Sequence, residues 1–419
     1  MRSPRICCLD LDTFFVSVER LLEPSLVGQP VIVGARPGQR GVVLAASYEV
    51  RPLGVHSGMS MTEATRLAPN AVFVPPRHDT YGPYAQRVRA VLERFTPGVQ
   101  TASIDEFYVD FHGCERLYRR ASDVDDDAAM MRVLREIRTT IQNEVGLPAS
   151  AGMGCTRAVA KIASGLAKPN RALPEDDGRH FGSGVVLVPA GQERAWLGSL
   201  PLRRFPGIGP VAERRLDALG LTTIEQLLAL PPGRARDQVS GVRASVQGAF
   251  DGETPDLGSA RPAFQEHDPL DSTVGSISNE CTFAADVSRR AEVERHLLAL
   301  AERVCWRARK RGVRARTVAL KLRYRDFVTV QRSATSQPTA DDVEVMRRVR
   351  GLLDRAWTRK ASIRLLGICL SNLVTPERQL ELSFAEERGS ASSAIDSVRR
   401  RFGYAAIRRG QTIDGGERR

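Results

Sequence analysis

The chain has 419 residues, 42% hydrophobic and 26% charged, a globular composition with room for about three domains and no run approaching the ~18 apolar residues that span a bilayer. Its 61 Lys and Arg outweigh 49 Asp and Glu, and the net charge of +12 with a pI near 9.8 favours a polyanionic partner such as nucleic acid. The seven cysteines form no CxxC pair and have no histidine at zinc spacing, and MRSPRICCLDLD turns acidic too early for a signal peptide, so a cytoplasmic protein with neither structural zinc nor membrane partner is expected.

RICCLDLD reads as a short apolar strand ending in acid, and TFFVSVERLLE follows with Phe14, Val18 and Leu21 or Leu22 at helical spacing. QPVIVGA and RGVVLAAS are strand candidates parted by the turn-rich RPGQ. SYEVRPLGVHSGMS holds too much Gly and Pro for long regular structure, and MTEATRLAP reads as a short capped helix. A helix from Tyr81 to Phe95 leads into TASIDEFYVDF, a strand with Phe107, Val109 and Phe111 on its core face. By period Asp105 shares that face, yet an unpaired carboxylate cannot stay charged in a core. Asp105 and Glu106 are therefore expected at the strand's open end, beside a turn and a cation.

SDVDDDAAMMRVLREIRTTIQNEV is a long amphipathic helix through Met130, Leu134, Ile137, Ile141 and Val145, with Ser122 and the Asp cluster as its cap and dipole complement. PASAGMGCTRAVAKIASGLAKPN supplies a strand, a glycine-bearing turn and a helix ended by Pro169. That helix turns Val159, Ile162, Ala163 and Leu166 inward and shares Arg157 and Lys161 on its exposed face, with Lys168 near its end. GVVLVPAG is strand-like, and residues 192–250 are helical around FPGIGPVAERRLDALGL. Residues 251–275, rich in Gly, Pro, Asp and Ser, read as a linker. Beyond it, ISNECTF, a helix over 286–311, RTVALKLRYRDFVTVQRS as one strand, a helix over 341–358 and IRLLGICLSNL make an α+β domain. QLELSF and a polar, Arg-rich tail close the chain.

Asp10 and Asp12 stand two apart at a strand end and point the same way, with the Leu11 carbonyl exposed where the strand breaks; hard oxygen donors of this kind suit magnesium. DxD alone is equally a pair of solvated acids. Asp105 and Glu106 at the end of a second strand change the balance, because one sheet edge then gathers carboxylates that repel one another unless cations neutralise them. Two divalent ions do so and clamp the attacking and leaving oxygens of a phosphoryl transfer. Tyr48, Arg51 and Lys161 are candidate phosphate holders, each by itself an ordinary surface residue.

In FPGIG, Gly207 and Gly209 allow a tight hairpin whose N–H groups can hold a DNA phosphate without reading sequence; the plainer alternative is a helical turn. From Arg303 to Arg332 eleven Lys or Arg face one acid, Asp326. Thr317, Ala319, Lys321, Arg323 and Arg325 take one strand face and Val318, Leu320, Leu322 and Tyr324 the other. A sheet would then present a whole basic face to a duplex backbone, where a charge run alone is a solvated surface.

CLDLDTFFVSVE, SYEVRPLGVHSGM, SIDEFYVDF, GMGCTRAVAKIASGLAKPN, FPGIG and IRLLGICLSNL stand in the order and approximate spacing of Y-family translesion DNA polymerases, and over about residues 5–375 the chain resembles their bacterial DNA polymerase IV-like members. The resemblance implies an α+β multidomain right-hand polymerase. Its parts would be a ferredoxin-like palm (1–11 and 78–168), small fingers (12–77), a helical helix-hairpin-helix thumb (169–250), the linker (251–275), an α+β little finger (276–375) and a flexible tail (376–419). It implies addition of dNTPs to a primer 3′-end on a DNA template, at low fidelity, without proofreading and with a site tolerant of damaged templates. Two Mg2+ would be held by Asp10, Asp105, Glu106 and the Leu11 carbonyl, with Asp12 in support.

The same resemblance makes Phe15 the steric gate under the incoming sugar, packs Phe14 beside it, and assigns the triphosphate to Tyr48, Arg51 and Lys161. Primer-template DNA would lie on Gly207, Gly209, Lys321, Arg323, Arg325 and Arg332. QLELSF resembles a sliding-clamp peptide, with Gln379 at the rim and Leu380, Leu382 and Phe384 in an apolar pocket. A monomer is expected. Three departures stand out: Ala45 replaces a usual Thr or Ser, Ser47 a common Asn, and Pro52 after Arg51 disfavours helical geometry there. Two other readings stay open: a non-catalytic clamp-bound scaffold that kept the fold, and another palm-based nucleotidyltransferase such as a cyclase, which leaves the hairpin and basic strand without a purpose.

Overall fold

The computed structural model describes residues 5–169, 182–230, 237–250, 275–375 and 391–410, and the chain divides into two compact units, Met1–Glu266 and His267–Arg419. Among the described residues no helix is long and apolar enough to cross a membrane. The first unit opens with β1 (Ile6–Leu11), α1 (Phe14–Leu22), β2 (Val31–Gly34), β3 (Val43–Ala46), α2 (Met61–Leu67), β4 (Val72–Val74) and α3 (His78–Leu92). It continues through β5 (Val99–Thr101), β6 (Glu106–Asp110), α4 (Glu115–Tyr118), α5 (Asp126–Val145), β7 (Ala149–Gly154), α6 (Arg157–Ala167) and β8 (Val185–Leu187). The helices α7 (Glu193–Leu197), α8 (Pro210–Asp217), α9 (Ile224–Leu228) and α10 (Asp237–Phe250) follow.

β1 is the middle strand of a sheet ordered β5-β6-β1-β7-β8 and runs antiparallel to β6 and β7. Cys7, Leu9 and Leu11 enter a core with α3 and α5, while Ile6 and Cys8 pack on Ala160 of α6 from the other face. Burial on both faces is why ICCL is apolar without alternation. Gly152 of β7, opposite Cys8, lies directly beneath α6: a Cβ there would meet the Ser164 nitrogen at 1.8 Å and the Ala163 carbonyl carbon at 2.4 Å. Glycine thus sets how closely α6 approaches the sheet. The sheet β3-β2-β4 builds a separate small core with Met61 and Ala64 of α2.

The expected stripe on α5 is buried from Met130 to Val145. Its cap is Asp125, which accepts the Ala128 N–H at 2.7 Å, and not Ser122. The difference arises because the preceding residues form a turn of their own, with Asp123 held by the Arg120 N–H and the Arg132 guanidinium.

The second unit comprises β9 (Ser276–Val287), α11 (Arg290–Lys310), β10 (Arg314–Tyr324), β11 (Thr329–Thr339), α12 (Asp342–Ala356), β12 (Ile363–Val374) and α13 (Ala391–Phe402). Its antiparallel sheet is ordered β11-β10-β12-β9, and Val318, Leu320, Leu322 and Tyr324 share a core with α11 and α12. RTVALKLRYRDFVTVQRS is a hairpin and not one strand. The chain reverses after Tyr324, where Phe327 takes φ 65° and donates its N–H to the Tyr324 carbonyl at 3.0 Å. No glycine or proline marks this turn, so alternation runs through it in the sequence.

α13 lies within the stretch expected to be a flexible tail, yet it is tied to α11 by ion pairs. Asp396 pairs with Arg309 at 2.6 Å, and Arg399 and Arg409 reach buried Glu302 at 3.5 and 2.6 Å. The expected linker through residue 274 and the QLELSF motif lie outside the described residues.

Candidate active site

Register places Asp10 of β1 opposite Glu106 of β6 and Ser150 of β7, so these three polar side chains form a row on the face that α6 covers. Lys161 of α6 reaches this row, bonding Glu106 Oε2 and lying 3.6 Å from Asp10 Oδ2. Lys168, the residue that ends α6, donates to Asp10 Oδ1 at 2.5 Å. Burial opposes the charge on Lys161, but the bond to Glu106 and the surrounding acidic groups outweigh it and hold its pKa above the ordinary lysine value.

Asp105 just precedes β6, half-buried at the strand's open end, while Phe107, Val109 and Phe111 fill the core. Its carbonyl accepts the Leu11 N–H at 2.9 Å, tying the two strand ends together. Its carboxylate accepts the Ser103 hydroxyl. Asp12 differs again. Only 3% exposed, it accepts the Ser150 hydroxyl at 2.9 Å on both oxygens and the Tyr48 hydroxyl at 3.2 Å. Burial raises its pKa despite those bonds.

Among the described residues no group of three or more His, Cys, Asp or Glu side chains is assembled to hold a metal ion. The expected carboxylate cluster is therefore only partly drawn together: Asp10 and Glu106 meet across Lys161, and Asp105 turns away to Ser103. The donor chemistry nonetheless fits a hard divalent cation, since the acids offer oxygen alone and two ammonium groups now supply the positive charge that they require.

Thr13 takes a left-handed backbone, φ 46°, that turns the chain from β1 into α1. Phe14 is buried in the core, and half-buried Phe15 packs on the Tyr81 ring with centroids 4.3 Å apart. Behind it lies an anchor that sequence reasoning missed. The Tyr81 hydroxyl donates to fully buried Glu19 at 2.7 Å and accepts the Arg77 N–H at 3.0 Å, while the Arg77 guanidinium also bonds Glu19. The available signal was Glu19 four residues after Phe15, an acid on the same helix face.

Arg51 lies over the Tyr48 ring at 4.6 Å and donates to the Ala46 carbonyl at 3.2 Å. Contrary to expectation, Pro52 does not keep Arg51 out of a helical turn: a 3-10 turn spans Arg51–Leu53, and proline early in it lacks only an N–H that needs no partner there. Ala45 packs beside Val16 and Val31, and the Ser47 hydroxyl accepts the Val31 N–H at 3.0 Å. Gly207, at φ 92°, adopts the left-handed turn that favours glycine, and Gly209 precedes Pro210 at the start of α8. Lys161, Arg203, Arg204 and Gly207 line a groove of about 390 Å³ between α6 and this hairpin.

The open face of the second sheet is less basic than expected. Register builds it from four rows: Thr329, Arg323, Leu365 and Thr282; Gln331, Lys321, Gly367 and Glu280; Ser333, Ala319, Cys369 and Ser278; Thr335, Thr317, Ser371 and Ser276. Within these rows Lys321 and Arg323 are the cations and Glu280 the acid; Arg314 and Arg316, exposed on either side of core-facing Ala315, lie beyond them. Arg325 lies in the turn past β10. Arg332, directly opposite buried Leu320, projects to the other face. Reading one continuous strand had merged cations that the hairpin separates.

The chain matches the impB/mucB/samB family over residues 9–165, the C-terminal domain of that family over 274–384 and the IMS family HHH motif over 191–221. It is 34% identical over 415 residues to a DNA polymerase IV of Dehalococcoides mccartyi (strain CBDB1), covering 97% of each chain. It is also 34% identical over 388 residues to a DNA polymerase IV of Alkalilimnicola ehrlichii, covering 91% of this chain and 99% of that one. A solved Y-family DNA polymerase chimera superposes with a TM-score of 0.71 at 20% identity, and an insertion ternary complex of Dbh DNA polymerase with 0.59 at 20%. Each covers 89% of this chain and 100% of the other, a likeness in fold that agrees with a right-hand polymerase. With family matches in both units and relatives aligned nearly end to end, the chain belongs to the impB/mucB/samB family, the Y-family DNA polymerases.

Proposed function

We propose that this chain is a template-directed translesion DNA polymerase that adds dNTPs to a primer 3′-end, at low fidelity and without proofreading. One observation carries the reading: Lys161 joins Asp10 and Glu106 at the paired ends of β1 and β6, where neighbouring acids demand positive charge. Asp10, Asp105, Glu106 and the Leu11 carbonyl would hold two Mg2+, which when bound supply the charge that activates the primer hydroxyl and steadies the leaving pyrophosphate. An ammonium already pairing with carboxylates is placed to turn to a triphosphate, so Lys161 binds it with Arg51 and Tyr48. Phe15, backed by Tyr81, fills the space beneath the sugar and excludes a 2′-hydroxyl. The Gly207–Gly209 hairpin and the open face of the second sheet hold the duplex backbone. QLELSF docks a sliding clamp, and the working form is a cytoplasmic monomer.

Primer extension with Mg2+ on undamaged DNA tests this reading. The wild type extends, and Asp105→Ala loses about 100-fold or more in rate. A wild type that binds DNA without extending it points instead to the clamp-bound scaffold, and undiminished extension by the variant breaks the metal assignment. Phe15→Ala should admit ribonucleotides; unchanged sugar selectivity would remove Phe15 from its role.

A further inference from the structure

The open face of the second sheet contains an acid that a DNA-binding surface does not need. Glu280 of β9 and Lys321 of β10 are separated by β12, which puts their backbones about 9.6 Å apart at the usual strand spacing. They nevertheless pair, with the Lys321 ammonium 2.9 and 3.0 Å from the two Glu280 oxygens. The position between them is Gly367, opposite Lys321 on one side and Glu280 on the other. A Cβ built there would fall 2.7 Å from Glu280 Cγ and 3.3 Å from Cδ, so the glutamate lies in the space that any other residue would fill.

We propose that Glu280 is a built-in competitor for the DNA backbone: lying across Gly367, it occupies Lys321 and holds down the affinity of this face for duplex. The inference rests on the reading that this face meets DNA. The electrostatic argument is direct. Each phosphate that a lysine neutralises releases counterions and tightens binding, but Lys321 must first leave Glu280. Within these rows the one other cation is Arg323, which bonds the Thr329 hydroxyl at 2.8 Å, so occupying Lys321 ties down one of the two positive charges that the rows present. An exposed pair is weak, and a phosphate can displace it. The arrangement therefore moderates binding without blocking it, which suits an enzyme that must let go of its template.

The test is duplex binding by the full chain, read by fluorescence anisotropy on a random-sequence primer-template across a salt series. Glu280→Gln is expected to bind about threefold tighter at low salt and to steepen the slope of log affinity against log salt by about 0.9, one added phosphate contact. Gly367→Ala changes no charge but pushes the glutamate side chain aside, and it should shift affinity in the same direction. In a Lys321→Ala background both gains disappear. No gain in either single variant overturns the proposal, as does an equal gain with and without Lys321, which would make Glu280 a bare repelling charge. If Lys321→Ala and Arg323→Ala each leave duplex binding unchanged, the DNA-binding reading of this face has failed, and the proposal falls with it.

Discussion

The five-stranded sheet of the first unit and the four-stranded sheet of the second each use a glycine to bring opposite charges together, but at different depths. Gly152 lies under the backbone of α6, and the helix that it admits carries Lys161 to Asp10 and Glu106. Gly367 lies under one side chain, and what it admits is Glu280 alone. In the first unit the charged contact is therefore part of core packing, with acids only 12% and 16% exposed. In the second it is a surface pair whose acid is 41% exposed. The place of a charge set by backbone packing cannot be shifted without disturbing the fold, whereas one set by a side chain can be moved alone.

Gly152→Ala should have the largest effect. With a methyl group driven into the Ser164 nitrogen, α6 must shift. We expect a loss of about 3 kcal/mol of stability and, from misplacement of Lys161, about 100-fold slower extension. Thermal unfolding and single-turnover extension measure the two, and if Gly152→Ala behaves as mildly as Gly367→Ala the contrast between the sheets is broken. Lys161→Met comes next. It should lower kcat/KM for dNTP by about tenfold and leave Asp10 and Glu106 without their shared cation. Added Mg2+ should then raise its Tm more than that of the wild type, and equal increments would argue that the acids do not share a cation site.

The smallest effect is expected at Glu344, where bonds to Arg347 and Arg348 lower the carboxyl pKa to about 2. A depressed acid stabilises the fold above its ordinary titration range and loses that contribution as the pH falls through its folded pKa. Glu344→Gln should therefore melt about 2–4 °C below the wild type at pH 7, with the gap closing as the pH approaches 2. A gap that persists at acid pH would mean that packing, not charge, sets the difference.

Local rules were enough for much of this. A period of two and the cost of burying charge placed Asp105 and Glu106 at an open strand end, and alternation assigned the buried face of β10 from Val318 to Tyr324. Helical spacing gave the buried stripe of α5. These features act within a few residues of one chain segment. Tertiary structure alone decided which charges meet: Lys168 and Asp10 are 158 residues apart, Arg409 and Glu302 join through the seat of α13, and Lys321 finds Glu280 only because register sets Gly367 between them. The turn after Tyr324, unmarked by glycine or proline, put Arg332 on the face away from Lys321. Periodicity says which side of a strand a residue faces, but only pairing of distant segments determines its neighbours, because those contacts depend on register and on the space left by residues in between.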